Sequence, residues 1–146
     1  MSAMLTRAMQ DYLKAIYTLS RRRPTSVHTT ALAHRLRVSP ASATNMVKRL
    51  ARLRLVEHTP YRSIDLTEAG EKIALEIIRH HRLVELFLQK HLGLPLDQVH
   101  GEAEALEHVL SEQVESRITA VLGNPVSDPH GNPIPPKREG GRPRVT

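Results

Sequence analysis

From Leu5 onward apolar side chains recur at three- and four-residue steps, through Met9, Tyr12, Leu13, Ile16, Tyr17 and Leu19, with polar residues between them. That is the period of a helix with one apolar face. The pattern stops at Arg21-Arg22-Arg23-Pro24, where cations suit the negative end of the helix dipole and proline blocks continuation. A shorter helix is expected from Thr30 to Leu36, capped by Thr29 and burying Leu32, Ala33 and Leu36. After a tight connection at Arg37-Val38, Ser39-Pro40 reads as an N-cap followed by proline at the first helical position. The third helix then turns Ala43, Met46, Val47, Leu50 and Leu53 inward. Two short helices joined by so few residues make a helix-turn-helix.

Beyond Leu55 the period shortens. Val56-Glu57-His58-Thr59 and Ser63-Ile64-Asp65-Leu66 predict the two strands of a β-hairpin, or wing, around Pro60-Tyr61-Arg62. Thr67 caps a helix that runs from Glu68 through Ile73, Ile77, His81, Val84 and Leu88 to His91, ended by Gly93 and Pro95. Its length suits a scaffold or dimer helix. Two further helices are expected, from Asp97 to Leu110 and from the cap Ser111 to Leu122. Six of the ten prolines and four of the seven glycines follow Leu122, which predicts a linker or disordered tail without a core of its own. The expected fold is therefore mainly α: a winged helix-turn-helix over residues 1–67, a helical domain over 68–122, and a tail over 123–146.

The 146 residues suit one domain, or two small ones. With only Tyr12, Tyr17, Tyr61 and Phe87 as aromatics, the core must come from aliphatic side chains packed between helices, which disfavours a β-sandwich. The absence of cysteine excludes a disulfide framework, a thiolate zinc finger and a cysteine nucleophile. Arg7, Asp11 and Lys14 are out of place in a signal peptide, and no uncharged run approaches the roughly 20 residues that span a bilayer. A cytoplasmic protein with no membrane partner is expected. The net charge of +6 hides a segregation: residues 1–66 hold 12 Lys and Arg against 3 Asp and Glu, whereas residues 67–122 hold 5 against 10. A basic module for a polyanion, joined to an acidic module for cations, accounts for that division.

If Ala41 to Arg54 is the second helix of the helix-turn-helix, its N-terminal end enters the major groove of double-stranded DNA. Ala41, Ser42, Thr44 and Asn45 are then candidates for base edges, Asn45 pairing with adenine N6 and N7 and Ala41 touching a thymine methyl. Lys48, Arg49 and Arg52 follow phosphates, and Arg62 reaches out from the wing tip. The competing reading of the same residues is a small three-helix domain with a solvated basic face.

In the acidic half, helical steps put Glu104, Glu107 and His108 within an arc of about 100°. His81 and Glu85 are four residues apart, and His100 lies one turn before Glu104. Carboxylate and imidazole ligands without thiolate favour Mn(II) or Fe(II), although each pair alone also reads as an i,i+4 surface pair. No His-Glu-x-x-His, phosphate-cradling glycine loop or Gly-x-Ser-x-Gly elbow is present, so no enzymatic activity is expected.

The opening Met9-Gln10-Asp11-Tyr12-Leu13-Lys14-Ala15-Ile16-Tyr17, the run His81-Arg82-Leu83-Val84-Glu85, Val99-His100-Gly101-Glu102-Ala103-Glu104 leading to Glu107-His108, and Gly131-Asn132-Pro133-Ile134-Pro135 together resemble the diphtheria toxin repressor family. The resemblance covers about residues 5–136. It implies a winged helix-turn-helix followed by a helical dimerisation and metal-binding domain, in a homodimer that binds a near-palindromic operator and regulates metal-uptake or homeostasis genes. It also implies a primary metal site of Asp11, Glu104, Glu107 and His108 and an ancillary site of His81, Glu85 and His100. Iron-responsive members have Met in place of Asp11 and Cys in place of Glu104, so the hard oxygens here point to Mn(II), with Fe(II) as the second choice. Lys14 stands where manganese regulators with a two-ion cluster have a carboxylate, so two separated sites are expected. Members with the Gly-Asn-Pro-Ile-Pro segment continue into an SH3-like domain that donates ancillary ligands; this sequence ends before it, which implies an ancillary site short of ligands. Two rival functions fit the residues alone: a winged-helix regulator of a small organic ligand without metal dependence, and a metal-handling protein with no specific DNA.

Overall fold

The computed structural model describes residues 5–22, 27–59 and 63–137. They fall into two compact units, one ending at Leu75 and the other beginning at Glu76.

In the N-terminal unit, α1 (Arg7–Arg22), α2 (Thr29–Leu36) and α3 (Pro40–Arg52) are followed by β1 (Val56–His58) and β2 (Ile64–Leu66). Thr6 opens α1 by accepting the Met9 N–H on Oγ1. The helix buries Met9, Tyr12, Leu13, Ala15 and Ile16, the face its spacing predicts, with Tyr17 and Leu19 half-buried. Ser39 caps α3 as expected, its Oγ accepting the Ser42 N–H, with Pro40 in the first turn. By contrast α2 starts one residue early: His28 holds the cap position without a side-chain cap bond, and Thr29 is already helical. The cause lies upstream, where the buried Val27 gives its carbonyl to the Ile64 N–H at 2.7 Å. That bond keeps the chain extended until His28.

Both α2 and α3 end on an arginine with left-handed backbone, Arg37 at φ 58° and Arg54 at φ 62°. Arg37 and Val38 donate to the His34 and Ala33 carbonyls, and Arg54 and Leu55 to those of Ala51 and Leu50. This paired bonding lets a left-handed residue reverse the chain while satisfying the last carbonyls. The reversal after α3 leaves Leu53 40% exposed, contrary to its expected place in the core, and Leu55 is buried instead. Leu36 and Met46 are only half-buried, so Ala43, Val47 and Leu50 form the inward face of α3.

The strands pair antiparallel as the expected wing, Val56 opposite Leu66 and His58 opposite Ile64. The wing tip, Pro60-Tyr61-Arg62, lies outside the described residues, as do Arg23 and Pro24. Thr67 then caps α4 (Glu68–Leu92), its hydroxyl accepting the Gly70 N–H and donating to the Arg54 carbonyl. Gly70 rests against the Leu55 carbonyl, and Ile73 and Ala74 are buried. The start of α4 thus packs as part of the N-terminal compact unit, which ends at Leu75 inside the helix.

In the C-terminal unit the rest of α4 carries two apolar groups. Leu83 and Leu86 pack with Ile118 and Ile134, and Val84 and Leu88 with Val99 and Ala103. The partners come from α5 (Leu96–Leu106), from α6 (Glu112–Val121) and from the segment after it. Ser111 caps α6 through the Val114 N–H, as expected. However, α5 ends four residues before the expected Leu110: Glu107 is buried, and the Val109 N–H turns back to the Leu106 carbonyl. Nor is 123–137 a segment without a core. Ile134 is buried, Ser127 pairs with Pro133, and the Arg79 and Arg82 guanidinium groups donate to the Pro135 and Pro133 carbonyls. Proline removes a donor but keeps its acceptor, so a proline-rich segment still serves guanidinium groups. Residues 138–146 lie outside the described residues.

Candidate metal centre

Three polar side chains of α4, His80, His81 and Glu85, are buried among its apolar positions. Such groups require partners in the interior. For His81 and Glu85 these include α5, the turn after it, and the loop after α6. His81 Nε2 lies 3.0 Å from Glu85 Oε2 and 3.2 Å from His100 Nδ1, and that His100 atom is 3.3 Å from the same Glu85 oxygen. The three atoms form a nearly equilateral triangle. Metal–ligand bonds of about 2.1 Å put neighbouring corners of an octahedron about 3.0 Å apart, so the triangle fits one face around a divalent first-row ion.

The other nitrogen of His81, Nδ1, lies 2.6 Å from Glu107 Oε1. Both ring nitrogens thus face carboxylates, and a protonated ring donates to each; a bound cation would displace the Nε2 proton and take that lone pair while Nδ1–H still donates to Glu107, the tautomer a metal-binding histidine needs. Burial alone would raise the Glu85 carboxyl, but hydrogen bonds and charge from His81, then hydrogen bonds from Asp128 and His100, hold it down to about 2. Glu85 is therefore an anion in a buried place, which is where a cation is stabilised most.

The expected ancillary set of His81, Glu85 and His100 is thus brought together. Of the expected primary set, Glu107 is buried with its Oε2 3.4 Å from His108 Nε2. Glu104 is exposed and pairs with His100 Nε2 at 3.2 Å. Asp11 is half-buried on α1, in the N-terminal unit. Two features of the site are not announced by the sequence pattern. Asp128 and His130, in the proline- and glycine-rich segment after α6, join Glu85 in a second group of possible ligands; the turn-forming Asp128-Pro129-His130-Gly131 is the signal the sequence offers for it. The second is a buried ion pair, in which Glu115 Oε2 accepts from Arg79 Nε at 2.6 Å while Oε1 lies 3.3 Å from His80 Nε2. Burial pushes the Glu115 carboxyl up, but His80 and Arg79 outweigh it and hold it at about 2.

On α3, Ala41, Ser42, Asn45, Lys48, Arg49 and Arg52 are exposed and Thr44 is half-buried, on the side away from Ala43, Val47 and Leu50. Arg62 lies outside the described residues. No helix among the described residues is long and apolar enough to cross a membrane.

Residues 4–64 match the family model of the N-terminal DNA binding domain of iron dependent repressors, and residues 67–136 that of their metal binding and dimerisation domain. The chain is 41% identical over 124 residues to the iron-dependent repressor IdeR of Mycobacterium bovis, covering 85% of this chain and 54% of that protein. It is 37% identical over 114 residues to an uncharacterized HTH-type transcriptional regulator of Methanocaldococcus jannaschii, covering 78% of this chain and 91% of that one. The solved structure of a manganese-dependent transcriptional repressor in complex with manganese is similar at a TM-score of 0.81 and 44% identity, over 92% of this chain and 61% of that one. The chain spans about half the length of the mycobacterial relative.

Proposed function

The chain belongs to the iron-dependent repressor family, and from that premise we propose that it is a Mn(II)-responsive transcriptional regulator that binds operator DNA as a homodimer in the cytoplasm. The observation that carries the reading is the octahedral fit of the His81, Glu85 and His100 donor atoms, in a chain whose α3 presents a polar, basic face. Mn(II) is favoured over Fe(II) because Asp11 and Glu104 offer hard oxygens. A divalent ion supplies concentrated positive charge and directional bonds to several ligands at once. Two sites serve it: Asp11, Glu104, Glu107 and His108 as the primary set, and His81, Glu85 and His100 as the ancillary one. Asp11 and the other primary ligands belong to different units, so shared ligation couples metal affinity to DNA affinity. Exposed Leu92, Leu96, Val109, Val114 and Val121 in the C-terminal unit supply apolar surface for a dimer.

The test begins with selection from random DNA duplexes, with and without Mn(II). Coupling of about 1–3 kcal/mol predicts that Mn(II) tightens operator binding about 5- to 150-fold. Asp11→Ala is expected to abolish that stimulation while far-UV circular dichroism stays unchanged; stimulation equal to the unaltered chain would remove Asp11 from the metal site.

On the DNA side, Asn45→Ala is expected to cost about 1–3 kcal/mol at a single base position, whereas Arg52→Ala weakens every sequence alike and lowers the salt slope by about one. Binding titrations across salt on matched and mismatched duplexes separate the two. An Asn45→Ala loss spread evenly over all sequences would contradict its place at a base edge.

A further inference from the structure

Between Asp11 and Glu57 the chain holds ten Lys and Arg and no Asp or Glu. Three of those cations, Lys48, Arg49 and Arg52, lie on α3 with the base-edge candidates. Arg21, Arg22 and Arg35 lie elsewhere. Arg21 and Arg22 are in the last turn of α1 and Arg35 in the last turn of α2, all three exposed. These helix ends are neighbours within the N-terminal unit, close enough that the Arg22 charge acts on Arg35. Partial burial, and after it that charge, pushes the Arg35 guanidinium down, although arginine stays protonated in proteins.

Among the described residues none of the three pairs with a carboxylate. Arg21 is steadied by an aromatic ring instead, its guanidinium carbon 5.6 Å from the centroid of Tyr17 one turn earlier. Neighbouring guanidinium groups without a counterion repel, and the negative ends of the two helix dipoles offset only part of that. An anion seated between them removes the rest. Guanidinium forks match phosphate oxygens in particular, and the unit that carries them matches a DNA binding domain over residues 4–64.

We propose that the ends of α1 and α2 form a second phosphate-binding surface, on which Arg22 and Arg35 hold DNA backbone phosphates other than those followed by Lys48, Arg49 and Arg52. Arg21, braced on Tyr17, adds a third charge beside them. This rests on the DNA-binding reading above and adds to it a contact that carries no sequence information.

Anisotropy titrations of the full chain with Mn(II) test the surface, on the selected operator and on a scrambled duplex of equal length, both with flanking base pairs. Arg22→Gln combined with Arg35→Gln is expected to weaken both duplexes by the same factor. Raising salt from about 50 to 200 mM should then cost the variant about 12-fold less affinity than it costs the unaltered chain, as two phosphate contacts release counterions with a slope of about 0.9 each. Arg22→Lys with Arg35→Lys keeps the slope, because counterion release counts charges. Melting stays at or above that of the unaltered chain, since a repulsion is relieved; if Gln at position 35 lowers it, Arg22→Gln alone carries the test with half the slope change. Lys90→Gln, at an exposed position of α4 in the other unit, leaves the slope unchanged; an equal fall per charge there would make the effect the field of the whole chain and overturn the surface. Unchanged affinity and slope in the double Gln variant would also overturn it, and would leave the patch to an acidic protein segment or a small anion. So would a loss confined to the operator. An unaltered chain that binds neither duplex would overturn the DNA-binding reading itself, which keeps the two failures apart.

Discussion

Glu115→Ala is expected to destabilise the C-terminal unit by about 3–5 kcal/mol, the usual cost of removing one partner from a buried ion pair. Arg79 loses its 2.6 Å carboxylate contact and keeps its hydrogen bonds to neutral acceptors, the Thr119 hydroxyl and the Pro135 carbonyl. His80 loses the facing Glu115 oxygen at the same time. Urea unfolding in metal-free buffer should show a lower midpoint with little change in slope; an unfolding free energy within about 0.5 kcal/mol of the unaltered chain would mean that the pair contributes nothing net. The pH dependence supplies a second reading. The folded-state value of the Glu115 carboxyl is about 2 against an ordinary 4.5, so its contribution is complete above the ordinary value and is lost as pH falls through the folded one. Glu85 titrates in the same window for the same reason. Replacing Glu115 with Gln is therefore expected to remove about half of the stability lost between pH 4.5 and 2 that these two carboxyls share.

The second large effect lies at Gly70. A Cβ there would sit 2.1 Å from the Leu55 carbonyl oxygen and 3.3 Å from Leu66 Cδ2. The oxygen has little room to retreat, because it accepts the Thr67 N–H at the start of α4. Gly70→Ala should therefore push α4 away from Leu55 and the second strand, at about 3 kcal/mol or more, the upper end of overpacking costs. Gly101→Ala is the matched control: nothing lies within 4 Å of its Cβ, and an alanine inside α5 should gain roughly 0.5–1 kcal/mol. Thermal unfolding of both variants checks the contrast. Equal melting temperatures would show that the α4 start can shift freely.

The elements legible in the sequence were those specified by neighbouring residues. Ser39-Pro40, Thr67 and Ser111 each cap the helix their position predicts, because a cap bond spans only two or three residues. The change from helical to alternating period located the wing for the same reason. Where the structure departs, distant contacts decide. The start of α2 depends on Val27 meeting Ile64, and Leu53 loses its place in the core to a left-handed residue that no periodicity announces. At the candidate metal centre, the i,i+4 spacing of His81 and Glu85 and the return of His100 are readable. Asp128 and His130 are not, because prolines and glycines around them suggest a segment without a core, and the anchoring acceptors come from those same prolines.

The two left-handed arginines, Arg37 and Arg54, end α2 and α3 of the N-terminal unit. Glycine would take that conformation without steric cost, whereas an L side chain there gives up roughly 1–2 kcal/mol. Both arginines sit at helix C-termini, where the peptide dipoles recover a fraction of a kcal/mol each, less than the conformational cost. The remainder is a net stability deficit, carried at two residues that also add positive charge to the N-terminal unit.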